Sequence, residues 1–212
     1  MNMPSDDMNK DTNAKPLSVV VLGKGVVGKT SLIYRFVKDA FPEAHDPTIE
    51  DNYKAMVEIN NESIEIQIVD TAGEEDYQNM LDQWIDVADG FLLVFAINDK
   101  DTFNVLDEKY KRIEKHKEKN VPIILVGNKC DLDSKRQVSF DNGKELADKY
   151  GIKFLETSAK ETVNIDELFV STTRLFMSKQ ATTGGKGMKT PTLGKNLNEE
   201  TLNEKKKNDS CC

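Results

Sequence analysis

Residues 23–30, which read Gly-Lys-Gly-Val-Val-Gly-Lys-Thr, have the types and spacing needed to hold phosphate groups. They follow an apolar run at 17–22, which predicts a loop between a buried strand and a helix. Glycines let successive backbone N–H groups turn inward around an anion, and the helix adds the positive end of its dipole. Lys29 would bring an ammonium group to the outer phosphates, and Thr30 would offer a hydroxyl to Mg²⁺. The pattern therefore predicts a nucleotide phosphate site with magnesium.

A second motif, Asn-Lys-Cys-Asp at 128–131, follows another apolar run and indicates which base is bound. Guanine presents two adjacent donors, N1–H and N2–H, that the carboxylate of Asp131 can accept together. Adenine lacks this pair and would leave Asp131 desolvated and unpaired, and sites of that type discriminate by about 10⁴ or more. The phosphate loop alone is equally typical of an ATPase or a nucleoside kinase. Asp131 therefore predicts GTP and GDP as the ligands.

The residues around Asp131 have expected roles in the same pocket. Asn128 can tie its loop to the phosphate loop, and the stem of Lys129 can cover one face of the base. A third motif, Ser-Ala-Lys at 158–160, provides the backbone N–H of Ala159, which suits the O6 atom of guanine. Together the three motifs predict a guanine-nucleotide site.

Alternating strand and helix patterns must position these loops. The predicted strands are 17–22, 53–59, 64–68, 90–97, 121–127 and 152–155, and the predicted helices are 31–38, 77–87, 102–119, 140–150 and 165–177. Apolar strands separated by amphipathic helices predict an α/β fold, with a six-stranded, mostly parallel sheet and helices on both faces. This is the three-layer sandwich of phosphate-loop NTPases. A turn at Asn60-Asn61 predicts a hairpin that supplies one antiparallel edge strand.

Capping signals define two of the predicted helices. Ser139 and Gly151 bracket the helix at 140–150, as an N-cap and a C-terminal stop. Asn164, with Glu167 three residues on, predicts the start of the last helix.

Composition divides the chain into three parts. Residues 1–15 form a polar leader, 16–178 a single nucleotide-binding domain, and 179–212 a disordered tail. The net charge of −8 is uneven, because the tail is basic and the domain strongly acidic. We therefore expect no nucleic-acid partner, and attraction to anionic lipid only through the tail. The longest apolar run, 91–97, is too short to span a bilayer, and the leader lacks the pattern of a signal peptide, so a cytoplasmic location is expected.

The three motifs, in this order and spacing, resemble those of the Ras superfamily of small GTPases, and the resemblance covers about residues 17–177. The segments 45–53 and 90–98 are similar to the Ras branch in particular. The terminal pair, Cys211 and Cys212, instead resembles the Rab branch.

The resemblance implies roles for residues that match the family pattern. Thr48 would close over Mg²⁺ and the γ-phosphate as part of switch I, and Asp70 would hold Mg²⁺ through water. Gly73 would donate its N–H to the γ-phosphate, and Phe41 would stack against the guanine. Loss of the γ-phosphate would release switch I, which contains Thr48, and switch II, which starts at Gly73. Partners would thereby distinguish the GTP-bound state from the GDP-bound state.

Taken together, the motifs and the resemblance predict a complete set of site residues. The nucleotide contacts are Gly23, Gly25, Val26, Val27, Gly28, Lys29, Thr30, Ser31, Phe41, Pro47, Thr48, Gly73, Asn128, Lys129, Asp131, Ser158, Ala159 and Lys160. The metal ligands are Thr30, Thr48 and Asp70, and the catalytic groups are Lys29, Thr48, Gly73 and Glu74.

Glu74 is the most consequential departure from the family pattern, because it replaces the usual Gln that orients the attacking water. Repulsion between a carboxylate and a phosphate oxygen about 4 to 5 Å apart opposes closure of the loop over bound GTP by about 3 to 4 kcal/mol per charge pair, at an effective dielectric of 20. The same carboxylate can orient or deprotonate the water. Two interpretations stay open: a GTPase, or a GTP-binding module with negligible hydrolysis that is regulated by nucleotide exchange.

Three further features affect the expected activity. Val26 stands where the family has Gly or Ala, and a β-branched residue there strains the loop and alters nucleotide affinity or exchange. His45 replaces a common switch I Tyr, which makes the lid over the phosphates less complete. Residues 39–51 contain no Arg, so an arginine finger must come from a GTPase-activating protein, and slow intrinsic turnover is expected unless Glu74 compensates.

The C-terminus predicts a membrane anchor. In a Rab-like protein Cys211 and Cys212 would both be geranylgeranylated, and two lipid chains give stable anchoring. Residues 205–207 are lysines that add attraction to anionic lipid. The alternative is an unmodified, solvated tail. The C-a-a-X pattern requires a cysteine at the fourth position from the end, where this sequence has Asp209, so that pattern does not apply.

The expected partners follow from the resemblance. They are effector proteins through switch I and switch II, a guanine nucleotide exchange factor, a GTPase-activating protein, the prenylation machinery, a GDI-like chaperone and a lipid membrane. The expected location is the cytoplasm and the cytoplasmic face of the plasma membrane or endomembranes. The Ras-like switch residues favour signalling, whereas the Rab-like tail favours vesicle trafficking.

Overall fold

A computed structural model describes residues 16–41, 50–71, 73, 78–117 and 121–182 of the chain. The predicted leader and almost all of the predicted tail lie outside these residues. Among the described residues, no helix has both the length and the apolar character needed to cross a bilayer.

Six strands form one sheet in the order β2-β3-β1-β4-β5-β6. Their bounds are β1 Leu17–Leu22, β2 Glu50–Ile59, β3 Glu62–Thr71, β4 Gly90–Ala96, β5 Ile123–Asn128 and β6 Lys153–Thr157. Every neighbouring pair is parallel except β2 and β3, so the antiparallel strand lies at the edge. The predicted α/β class and the mostly parallel six-stranded sheet are confirmed.

Helices cover both faces of this sheet. They are α1 Lys29–Lys38, α2 Gln78–Val87, α3 Lys100–Asn104, α4 Leu106–His116, α5 Phe140–Tyr150 and α6 Ile165–Thr182, with a 3-10 helix at Cys130–Lys135. The central strand β1 is buried throughout and sends Val19 and Val21 into one core cluster and Val20 and Leu22 into the other. The alternation of side chains along a strand therefore divides the core into two layers.

Local signals fixed several boundaries as predicted. The Ser139 hydroxyl accepts a hydrogen bond from the Asn142 N–H at 3.1 Å, and Gly151 closes α5 in the left-handed conformation with φ 64°. Asn60 and Asn61 have φ of 52° and 67°, the sign that a tight hairpin turn requires.

The bounds of two predicted helices were wrong by more than two residues. The single helix expected at 102–119 is two helices, α3 and α4, separated by Val105. The second helix starts after Val105, whose carbonyl accepts a hydrogen bond from the Lys109 N–H. The last helix was predicted to end at Met177, and it continues to Thr182.

Candidate functional site

Described site residues at the ends of four strands, or just beyond them, lie at one edge of the sheet. These strands are β1, β3, β5 and β6, which are parallel, so their carboxyl ends lie on the same side. In open α/β sheets this edge is where ligands bind.

The phosphate loop connects β1 to α1 and is closely packed against its neighbours. Gly28 has φ 93°, and a Cβ atom there would lie 2.5 Å from Nδ2 of Asn128. Any side chain would therefore be strained and would displace the neighbouring loop. Val27 is fully buried in the core cluster that also contains Val19, which fixes the loop to the sheet.

Lys29 lies across this loop. Its side chain is buried, and Nζ donates to the carbonyls of Gly23 and Lys24, each at 3.2 Å. Burial lowers the pKa of Lys29 to about 8, and the Asp70 carboxylate partly offsets the effect. Burying the Lys29 ammonium is costly, and the two carbonyls that accept from it are neutral. An anionic ligand would form stronger hydrogen bonds with the ammonium and would therefore replace these carbonyls favourably.

Thr30 and Asp70 form a pair of oxygen donors beside the loop. The Thr30 hydroxyl donates to Oδ2 of Asp70 at 2.6 Å, and Asp70 is fully buried opposite Val21 in the register of β1 and β3. A hydroxyl and a carboxylate are hard oxygen ligands of the kind that Mg²⁺ prefers. The chemistry of the pair fits the predicted metal, although the third predicted ligand, Thr48, lies outside the described residues.

Gly73 brings the backbone after β3 against the phosphate loop. A Cβ atom on Gly73 would lie 2.3 Å from the backbone nitrogen of Gly25, so the close approach leaves no space for a side chain. This position agrees with the predicted donation of the Gly73 N–H to a γ-phosphate, which stays a prediction. A Cβ on Gly25 itself would meet nothing within 4 Å.

Asn128 and Lys129 fasten the base-selecting loop to the phosphate loop. Asn128 Nδ2 donates to the Val27 carbonyl at 2.8 Å, and Lys129 Nζ donates to the Val26 carbonyl at 2.6 Å. Thr157 donates its hydroxyl to Oδ1 of Asn128 at 3.2 Å. The expected connection between the two loops through Asn128 is present.

Asp131 and Ser158 join the second and third motifs. The Ser158 hydroxyl donates to Oδ1 of Asp131 at 2.6 Å and accepts from the Glu161 N–H at 3.0 Å. Ala159 is buried, whereas Lys160 is exposed and lies 3.5 Å from Glu161. The carboxylate predicted to read guanine is therefore held in place by the loop predicted to contact O6.

Val26 has the backbone strain that its β-branched side chain predicted. Its φ is 60°, in the left-handed region, and its side chain is 66% exposed. A β-branched residue in this region stores about 1 to 3 kcal/mol of strain.

Phe41 ends the segment that follows α1 and is 44% exposed. The structure leaves its ring accessible to a stacking partner, and its role against guanine stays a prediction. Several predicted residues lie outside the described residues: His45, Pro47, Thr48, Glu74, Cys211 and Cys212.

Three further polar residues at this edge were not predicted from the sequence. Thr71 donates its hydroxyl to the Val21 carbonyl at 2.7 Å, which joins the ends of β3 and β1. Thr157 supports Asn128, as described above, and its place just before the third motif was a usable signal. Arg35 donates from Nε to the Ala159 carbonyl at 2.9 Å, across 124 positions of sequence, and no local pattern indicated it.

The fold and these loops define a class, that of phosphate-loop proteins with a base-selecting Asn-Lys-x-Asp loop. A sequence model described as the Ras family matches residues 18–178. The chain is 41% identical over 168 residues to Ras-like protein 1 of Saccharomyces cerevisiae, covering 79% of this chain and 54% of that protein. It is 42% identical over 159 residues to Ras-like protein rasB of Dictyostelium discoideum, covering 74% and 80%. The chain belongs to the Ras family of small GTPases.

Proposed function

We propose that this protein binds GTP and GDP with Mg²⁺, hydrolyses GTP to GDP and phosphate, and acts as a membrane-anchored switch. The observation that supports the proposal best is the meeting of three kinds of group at one sheet edge. The buried Lys29 ammonium suits phosphate, and the hydroxyl and carboxylate of Thr30 and Asp70 suit a metal ion. The Asp131 carboxylate, held by the Ser158 hydroxyl, suits guanine.

The described residues divide the work of binding. Lys29 would exchange its two carbonyl partners for phosphate oxygens, and Asn128 would keep the base loop and the phosphate loop at a fixed separation. Thr30 would hold Mg²⁺ directly and Asp70 through water. When bound, Mg²⁺ neutralises charge on the β- and γ-phosphates.

Switching would depend on groups that sense the γ-phosphate. The proposed sensors are Thr48 in switch I and the N–H of Gly73 at the start of switch II. Their release after hydrolysis would let effectors distinguish the two states, and an exchange factor would reload GTP. The position of Gly73 against the phosphate loop supports this assignment.

Hydrolysis is proposed to be slow and to accelerate with a GTPase-activating protein that supplies an arginine. Residues 39–51 contain no Arg, which supports a partner's contribution. The competing function is a GTP-binding module with negligible hydrolysis, which Glu74 favours because it replaces the Gln that orients the attacking water in the family.

Single-turnover hydrolysis of preloaded GTP distinguishes the two functions. The native protein is compared with Glu74→Gln, and with Glu62→Gln on the exposed part of β3 as the matched control. Turnover of the native protein at least as fast as that of Glu74→Gln supports an active Glu74. An inert native protein beside an active Glu74→Gln variant establishes the binding module, and failure of all three to retain GTP contradicts the proposal.

Membrane attachment is proposed to use Cys211 and Cys212, delivered by the prenylation machinery and extracted by a GDI-like chaperone. The protein would then lie on the cytoplasmic face of the plasma membrane or an endomembrane. Mass spectrometry of the C-terminal peptide tests the modification, and two lipid additions that vanish in Cys211→Ser with Cys212→Ser are expected. An unmodified peptide from the native protein contradicts this part of the proposal.

A further inference from the structure

One guanidinium group connects two segments that flank the proposed base pocket. Arg35 lies on α1, and its side chain is 15% exposed. Its Nε donates to the Ala159 carbonyl at 2.9 Å, and one terminal nitrogen donates to the Asp39 carbonyl at 3.1 Å. Asp39 is the left-handed residue that ends α1, two positions before Phe41.

These two segments are the ones predicted to contact guanine from different sides. Ala159 would offer its N–H to O6, and Phe41 would stack on the ring. We propose that Arg35 is a positioning residue for guanine, which fixes the separation of these two contacts without touching the base. The inference rests on the proposed function, since it assigns a residue to that same site.

The contact of Arg35 with Ala159 contributes more to this positioning than its contact with Asp39. The Arg35–Asp39 ion pair is 3.5 Å long and the Asp39 side chain is 93% exposed, so solvent screens it and it contributes little. By contrast, Ala159 is only 3% exposed, the hydrogen bond to its carbonyl is partly buried, and a hydrogen bond from a charged donor is one of the stronger kind.

The position of Arg35 also separates base binding from phosphate binding. The same helix begins with Lys29 and Thr30 at the phosphate loop, where other hydrogen bonds hold it. Loss of the Arg35 side chain would therefore loosen the base end of the pocket and leave the phosphate end intact. The expected consequence is faster nucleotide release with retained binding.

The first test measures release of a ribose-labelled fluorescent GDP from the full-length protein. Arg35→Met keeps a side chain of similar length without a donor, and it is expected to release GDP about tenfold faster, as the loss of one charged hydrogen bond predicts. Arg35→Lys keeps one donor and is expected to stay within about threefold of the native rate. Arg174→Met, an exposed change on α6, is the matched control and is expected to leave the rate unchanged.

The second readout separates positioning from general support of the fold. In 6-thio-GDP a sulfur replaces O6 and accepts hydrogen bonds poorly, so the Ala159 contact is already weakened. Arg35→Met is then expected to accelerate the release of 6-thio-GDP less than the release of GDP, with the two accelerations differing by at least about threefold. A merely structural role would accelerate both ligands equally.

The outcomes are distinct. Unchanged GDP release from Arg35→Met, or equal acceleration of both nucleotides, overturns the inference while the proposed function stands. A native protein that fails to bind GDP overturns the proposed function and the inference together. If Arg35→Met does not fold, Arg35→Lys is compared with the native protein on the same two nucleotides. A larger effect on GDP supports the inference, and equal effects overturn it.

Discussion

The Ser158 hydroxyl lies 2.6 Å from Oδ1 of Asp131, although the two residues follow different strands of the sheet. Ser158 is itself fully buried, so this hydroxyl fixes the carboxylate that would read guanine. Ser158 starts the loop that follows β6, so its hydroxyl joins this loop to the base-selecting loop that contains Asp131.

Ser158→Ala is expected to release GDP about tenfold faster, because Asp131 loses a hydrogen bond to a charged group. Stopped-flow displacement of a fluorescent GDP measures the rate. Ser178→Ala, on an exposed part of α6, should release GDP at the native rate. An unchanged rate in Ser158→Ala would show that this contact does not orient the carboxylate.

Replacement of Val26 by glycine is expected to stabilise the protein. The change relieves left-handed strain at φ 60° with little loss of burial, and the net gain is about 1 kcal/mol in the free energy of unfolding. Urea unfolding at fixed GDP and Mg²⁺ concentrations measures it. Val87→Gly is the control, since this exposed valine ends α2 without a positive φ, and glycine there should not stabilise the protein. A loss of stability in both variants would contradict strain at Val26.

Removal of the Thr30 hydroxyl is expected to weaken Mg²⁺ binding. Thr30→Ala should lower the apparent Mg²⁺ affinity of the GDP complex by at least about tenfold, whereas Thr30→Ser retains the hydroxyl and should bind normally. Titration of GDP release against free Mg²⁺ gives these affinities. In excess EDTA the native protein and Thr30→Ala should release GDP at similar rates. Native Mg²⁺ affinity in Thr30→Ala would exclude the hydroxyl as a ligand.

Glu167 provides a pH test of how β6 is joined to α6. The Lys153 ammonium at 2.7 Å and the Ser171 hydroxyl at 2.6 Å hold the pKa of Glu167 below its usual value. Because this pKa is lower in the folded state, the stabilisation is present above about pH 4.5 and is lost as pH falls through the folded pKa.

Glu167→Gln should therefore lower the free energy of unfolding at pH 7 by about 0.5 to 1 kcal/mol, a modest value because the carboxylate is 46% exposed and solvent screens it. The difference from the native protein should shrink below about pH 4.5. Chemical denaturation across pH measures it, with Glu145→Gln on the exposed face of α5 as the control. A pH-independent difference would assign the effect to packing instead.

Much of the fold could be predicted because its signals are local. Ser139 and Gly151 bracket α5 where a cap and a left-handed stop were expected, since the neighbouring backbone alone decides both. The Asn60-Asn61 turn was readable for the same reason. Val105 shows the limit, because a one-residue break between two helices leaves the apolar spacing unchanged.

The candidate site divides in the same way. The contact between Asn128 and the phosphate loop was expected, because both belong to motifs whose chemistry requires it. Arg35 could not be found, since its partner Ala159 is distant in sequence and accepts through a backbone carbonyl, which any residue type offers. Thr71 likewise uses its hydroxyl on a backbone carbonyl of β1, and only the register of the strands reveals it.

Asp131 tests the central claim, that this fold binds guanine nucleotides, most directly. In Asp131→Asn the side chain keeps one acceptor for N1–H and gains a donor in place of the other. Guanine then meets donor against donor at its N2 amine, whereas xanthine has a carbonyl at that position and pairs well. Asp133→Asn is the control, because Asp133 pairs with Arg136 at 2.6 Å and its side chain is 55% exposed.

The measurement is the dissociation constant of GDP, ADP and xanthosine diphosphate for the native protein and both variants. The native protein and Asp133→Asn should prefer GDP over ADP by about 10⁴, and Asp131→Asn should prefer the xanthine nucleotide. Equal binding of ADP and GDP by the native protein, or a guanine preference that survives in Asp131→Asn, would contradict the account.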